Sequence, residues 1–203
     1  MIGRSSGFAI ITAALLTVTA CADDAVSVTD DPAVATTPSD IGDESTSESV
    51  PDPAVVQGRQ PEGFTTIQAL ITEPDGEVCE VCLWLAGDTD EHGRGLMGVT
   101  DLGDPVGMAF RFDEPRLGSF YMFQTPTPLS IAWFAFGGFH IGATDMAPCL
   151  DTPAGECALY SPGVEYDLAI EVFQGGLEPL GLVPGSRVEL IEGSEADGCP
   201  LDS

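Results

Sequence analysis

LSIAWFAFGGFHIGAT, residues 129–144, is two apolar runs joined by a double glycine. Gly137-Gly138 offers the positive φ angles that a two-residue hairpin turn requires, so Leu129–Phe136 and Phe139–Thr144 read as paired antiparallel strands. In the first run Ile131, Trp133 and Ala135 alternate with Ala132, Phe134 and Phe136. Both faces are apolar, which predicts a central strand covered on both sides. Further short runs lie outward from this hairpin: Thr66–Thr72, Val78–Leu85, Val106–Phe112 and Ser119–Phe123 before it, Tyr166–Phe173 and Arg187–Ile191 after it. Glycines and prolines fall mainly between them. Arg94–Leu102 is the one stretch with a helical apolar period. The pattern predicts a mostly β domain, a small sandwich or barrel.

The ends of the chain differ from this middle. Arg4 precedes a 13-residue apolar stretch, Phe8–Ala20, too short to span a bilayer as an ordinary helix but suited to an export signal. Val18-Thr19-Ala20-Cys21 resembles the lipobox of bacterial lipoproteins, in which the cysteine thiol receives a diacylglycerol. Residues 1–20 are therefore expected to be a signal peptide and Cys21 the lipidated residue. Residues 22–60 hold nine acids, one arginine, and many Pro, Ser and Thr. That composition predicts a disordered, self-repelling spacer between the anchor and a domain spanning 61–203. The expected address is the extracytoplasmic side of the cell membrane; a secreted protein with an incidental cysteine is the alternative.

The whole chain has 33 acids against 6 arginines and no lysine, a net charge of −27. Beyond residue 60, 24 acids face four arginines. The charge argues against nucleic acid as a partner and suits salty surroundings, where like-charge repulsion is screened.

Four short stretches carry a family resemblance. They are Arg94-Gly95-Leu96-Met97, Gly107–Phe112 (GMAFRF), Phe120–Thr125 (FYMFQT) with Pro128-Leu129 after it, and Ile170-Glu171-Val172 with Gly175 and Gly185–Val188. In order and spacing, over about residues 66–191, they resemble the conserved family numbered 192 among domains of unknown function. The resemblance implies a small β-sandwich or barrel, often exported or lipid-anchored, and no particular reaction. Several charged family positions differ here. Gly98 and Val99 stand where a basic residue follows GLM, Phe123 replaces a lysine, and Ser130 and Ser186 replace acids.

Five cysteines follow Cys21. Cys149 and Cys157 flank a short loop with Pro153 and Gly155, which predicts a local disulfide. Pairing Cys199 with Cys79 or Cys82 would pin the C-terminal tail to an early strand, leaving one thiol over. Cys79-Glu80-Val81-Cys82 has CxxC spacing, but strand alternation puts its two thiols on opposite faces. Structural bonds are thus favoured over redox chemistry or zinc.

Among other polar residues, Asp88, Asp90 and Glu91 bunch oxygens in a turn, read as a solvated acidic turn with a calcium site as the alternative; no cofactor is otherwise expected. Glu171 lies between apolar strand neighbours, as a half-buried acid ion-paired with Arg94 or Arg111. His140, Tyr121 and Trp133 complete the candidate ligand or ion-pair set. Phe120, Tyr121, Phe123, Trp133, Phe134, Phe136 and Phe139 are read as core, with a ligand cleft as the alternative. The functional expectation is a non-catalytic binding or structural module of the cell envelope, its partner an envelope protein or a small solute. The alternative is an enzyme acting on an envelope component, through Glu171 or an Asp88/Asp90 metal site.

Overall fold

The computed structural model describes residues 58–199 together with a two-residue strand, β1 (Thr19–Ala20). Cys21 and the remainder of the leader and spacer lie outside the described residues. The other elements are β2 (Thr65–Thr72), β3 (Val78–Ala86), α1 (Thr89–Arg94), β4 (Met108–Arg116), β5 (Leu129–Ala135), β6 (Phe139–Met146), a 3-10 turn (Ala154–Glu156), β7 (Tyr166–Phe173) and β8 (Arg187–Leu190).

Strand β5 shows why the sheet closes. Leu129 through Phe134 are all buried, and β5 pairs antiparallel with both β6 and β7. From there the order runs β6, β8, β2, β3 on one side and β7, β4 on the other. A parallel pairing of Trp84–Ala86 with Met108–Phe110 joins β3 to β4, closing a seven-stranded barrel with no free sheet edge between them. The narrowest seam is β6–β8, where the ladder is the single pair Phe139–Arg187. β1 adds a short parallel pairing of Thr19 with Cys79 and Ala20 with Glu80.

The two faces of each strand serve two cores. Ile67, Ile71, Leu83, Phe134 and Ile170 come from strands around the ring and fill the barrel. The alternate residues Met108, Phe110, Ile131, Trp133 and Ala169 point the other way. They are covered by Leu96, Val99, Leu102 and Met122 from the connecting segments. Burial on both faces thus holds for β5 through Phe134. Phe136 departs from it: it belongs to the turn, 83 % exposed, and Phe139 beside it is 60 % exposed.

Two other elements differ from expectation. Ser119–Phe123 is a covering loop rather than a strand, tied by isolated bridges of Phe120 to Tyr160 and Phe123 to Cys149. Its outer face has no neighbouring strand to complete a ladder. The helix occupies Thr89–Arg94 rather than Arg94–Leu102, because Asp88 starts it and Gly95, at φ +44°, stops it. The apolar residues Leu96, Val99 and Leu102 are buried by an irregular segment instead.

Candidate functional site

The site starts at α1. The Asp88 carboxylate accepts from the backbone N–H groups of Asp90 and Glu91, both at 2.9 Å. The Glu91 carboxylate reaches back to Gly87 N–H at 2.7 Å and Asp88 N–H at 3.3 Å. This is a capping box. It corrects the calcium reading of Asp88, Asp90 and Glu91, because two of the three carboxylates satisfy helix N–H groups. Among the described residues no group of three His, Cys, Asp or Glu is arranged to hold a metal. Replacing Asp88 with alanine is expected to cost about 1 kcal/mol by removing the cap. Urea melts of both proteins, with and without calcium, check this; the same loss with no calcium response is the expected result.

The helix forms one wall of a cavity of about 280 Å³. Its floor is the outward face of β4 and β7, and its other wall is the 119–125 loop. The floor follows from register: Met108 on β4 and Ile131 on β5 both pair with Glu171 on β7, so Glu171 shares their face. The rings of Phe110, Phe120 and Tyr166 line the interior, with Phe110 edge-on to Phe120 at 5.1 Å. Arg94 and Arg116 stand exposed at the mouth. The Arg94 guanidinium lies 4.2 Å from the centre of the Phe64 ring and that of Arg116 4.8 Å from Phe112. His92 is held in the wall by its Nε2, 3.0 Å from the carbonyl oxygens of both Ala86 and Arg111, and its ring packs 4.4 Å from Phe112.

Glu171 is 5 % exposed, and its carboxyl is pushed up to about 8 by burial alone. No guanidinium offsets the loss of water. The expected ion pair is therefore corrected: Arg111 bonds instead to Glu192 at 3.4 Å and Glu195 at 3.2 Å, on another face. Arg94 is drawn aside by Phe64 and the Gly63 carbonyl, which it meets at 3.4 Å. Glu171 is also more than half-buried, because the covering segments add a layer that strand alternation does not reveal. The same burial raises the Tyr166 hydroxyl, while nearby Arg116 pulls it back.

The remaining expected residues scatter. Tyr121 lines the cavity and is 39 % exposed. Trp133 is buried in the outer core, its Nε1 without a hydrogen-bond partner. His140 lies away from the cavity, edge-on to Phe134 at 5.7 Å, where burial lowers its pKa. Its expected meeting with Glu171 and an arginine does not occur, since its partner ring faces the barrel interior. Arg116, Phe110 and Tyr166 escaped the sequence reading of the site. Arg116 carried a usable signal, as one of only four arginines beyond residue 60.

The positions that differ from the family pattern have their own uses. Ser130 donates to Asp145 at 2.6 Å and accepts the Gly175 N–H at 3.1 Å, so that the acid sits on the neighbouring strand. Ser186 is buried with its hydroxyl unpartnered. Cys149 is bonded to Cys157 and Cys82 to Cys199. Cys79 is disulfide-bonded as well, which corrects the expected spare thiol. The Cys149–Cys157 bond braces the loop that bridges Phe123. Loop-closure entropy puts its worth near 2–3 kcal/mol. Cys149→Ser/Cys157→Ser is expected to melt several degrees lower than the parent in the same buffer, as calorimetry would show.

Comparison with known proteins agrees with this architecture. A structure of a Sinorhizobium meliloti 1021 protein, provisionally described as a transcription regulator, is 24 % identical with a TM-score of 0.54. The match covers 63 % of this chain and 95 % of that one. A protein of unknown function from Novosphingobium aromaticivorans DSM 12444 is 25 % identical, with a TM-score of 0.50, over 66 % of this chain and 94 % of that one. No curated protein matches. The family model DUF192, described as an uncharacterized ACR, matches residues 70–190. These span all four of the signature stretches, each of which contributes to the cavity lining, and the chain belongs to the DUF192 family.

Proposed function

We propose that the domain is a non-catalytic binding module of the cell envelope that captures a small solute in the cavity between α1, the 119–125 loop and the β4–β7 floor. The observation that carries this reading is the concentration of signature residues around one apolar cavity with a few polar groups turned into it, the usual make-up of a ligand site. Arg94 and Met97 come from the first stretch, Phe110 and Phe112 from the second, Phe120 and Thr125 from the third, and Glu171 from the last. Binding is favoured over catalysis because Glu171 is the one carboxyl among the described residues of the cavity lining, with no second carboxyl to share a proton transfer. His92 has its Nε2 committed to backbone carbonyls.

The proposed address is the outer face of the cell membrane, through a lipid on Cys21; the lipid consumes that thiol, so lipidation and a bond from Cys21 to Cys79 exclude each other. Among the described residues no helix is long and apolar enough to cross a membrane. Mass spectrometry of the full-length protein expressed in a bacterial host tests the anchor. The expected species begins at Cys21 and carries a diacylglycerol. A mature chain retaining Thr19 and Ala20, or a peptide cross-linking Cys21 to Cys79, would overturn it. The capture reading is tested by calorimetry with the untreated protein and with Ser119→Trp, which places a large ring at an exposed position of the cavity lining, melting confirming that the variant folds. A solute bound by the first and not by the second is the expected result.

A further inference from the structure

Resting on the capture reading, we infer that the cavity takes a small aromatic carboxylate, its acid group between Arg94 and Arg116 and its ring against Phe110 and Phe120. The charge inventory makes the first argument. The domain beyond residue 60 has 24 acids, yet among the described residues Glu171 is the only carboxylate on the cavity wall, and two of the domain's four arginines line it. Arg111 and Arg187 pair with glutamates, whereas Arg94 and Arg116 have no carboxylate within ion-pair distance among the described residues. An arginine left without a counter-ion on a surface this acidic is a site that excludes the protein's own acids. A carboxylate brought by a ligand supplies what is missing, and charge-assisted bonds to guanidinium are the strong ones.

The interior makes the second argument. Phe110, Phe120 and Tyr166 present apolar ring surface, and the volume falls just under the usual range of small-molecule sites, which begins near 300 Å³. One ring with a short acid-bearing arm suits that space. Glu171, 95 % buried by its 5 % exposure, faces the cavity with no hydrogen-bond partner among the described residues. A polar group on the far side of the ring would satisfy it, because an unpaired buried carboxyl group is costly. A cavity ringed by aromatics would also suit an organic ammonium. The two guanidiniums at the mouth repel that occupant.

Three probes of nearly one shape separate these cases: 4-hydroxyphenylacetate, its amide, and tyramine. Isothermal titration of the full-length protein at pH 7 is expected to show saturable binding of the acid, at least tenfold tighter than the amide, and no heat from tyramine. Arg94→Gln and Arg116→Gln should each weaken the acid at least fivefold and leave the amide unchanged, with melting confirming that both variants fold. Phenylacetate should bind less tightly than its hydroxylated form, and Glu171→Leu should abolish that preference. Equal binding of acid and amide, or preference for tyramine, overturns the carboxylate and leaves capture standing. Binding of glucose but none of the three does the same. Silence from all five probes overturns both readings.

Discussion

Glu171→Gln is expected to raise the melting temperature at pH 8.5 by roughly 10 °C and to change it little at pH 4.5. The native carboxyl titrates at about 8 against an ordinary 4.5, and burial is the sole cause. The native state therefore holds its proton more tightly than the unfolded chain. Below pH 4.5 both states are protonated and burial carries no ionisation cost. As pH rises from 4.5 to 8 the unfolded chain gives up a proton that the native state keeps, so stability falls across that window and levels off above it. Each unit is worth about 1.4 kcal/mol, so the accumulated loss is on the order of 5 kcal/mol. In a chain of this size, each kcal/mol moves melting by about 2–4 °C. Glutamine keeps the shape of the neutral acid and does not ionise, so the loss disappears. Melting curves of parent and variant from pH 4 to 9 are the measurement, and their difference isolates Glu171 from the surface acids, which titrate alike in both. Parallel curves would mean that water or another group already relieves the carboxylate.

Gly138→Ala is expected to prevent folding or to cost several kcal/mol, while Gly137→Ala costs about 1–2. Both glycines have positive φ, +83° at Gly137 and +78° at Gly138, so alanine is strained at either. Only Gly138 is also pressed against another strand. A Cβ there would lie 1.8 Å from the carbonyl oxygen of Val188. At Gly137 the nearest atom is the Phe139 ring at 3.2 Å, which can turn aside. The clash falls where Gly138 and Val188 support the one-pair β6–β8 seam, through a 2.9 Å bond from Val188 N–H to the Gly138 carbonyl. The barrel would open there and expose Phe134 and Val188. Denaturant unfolding of the two variants, with amide exchange at Val188, separates the outcomes; equal losses would mean the backbone can shift to make room.

Most strands were legible because their apolar residues repeat every second position, a pattern set by local geometry. The double glycine fixed the hairpin for the same reason, and the close Cys149–Cys157 spacing announced its own loop. The closure into a barrel was not legible. It depends on Trp84–Ala86 lying parallel to Met108–Phe110, a contact across a helix and a loop that no local period reports. The helix start could have been read from Asp88 and Glu91, whose spacing is that of a capping box. At the site, Ile170 and Val172 flagged Glu171 as unusual. Alternation gave its face but not the layer that covers that face, so its partner was misjudged. Arg94 and Tyr121 were singled out, but the assembly with Arg116 and Phe110 arises only when the covering segments fold down.

The bond between Cys82 and Cys199 sets a schedule for the newborn chain. Its two ends are 117 residues apart, so in a chain delivered from its N-terminus Cys82 reaches an oxidising compartment before Cys199 does. During that delay Cys82 waits three positions from Cys79, with Cys149 and Cys157 arriving before its proper mate. Each is a faster, wrong partner. The earliest bonds are thus a matter of order of arrival, and the final ones of which pairs the completed barrel brings together. A cell making this protein needs a thiol-exchange catalyst able to undo early mistakes, and yield in an oxidising medium without one should be limited by sorting among isomers rather than by the stability of the finished molecule.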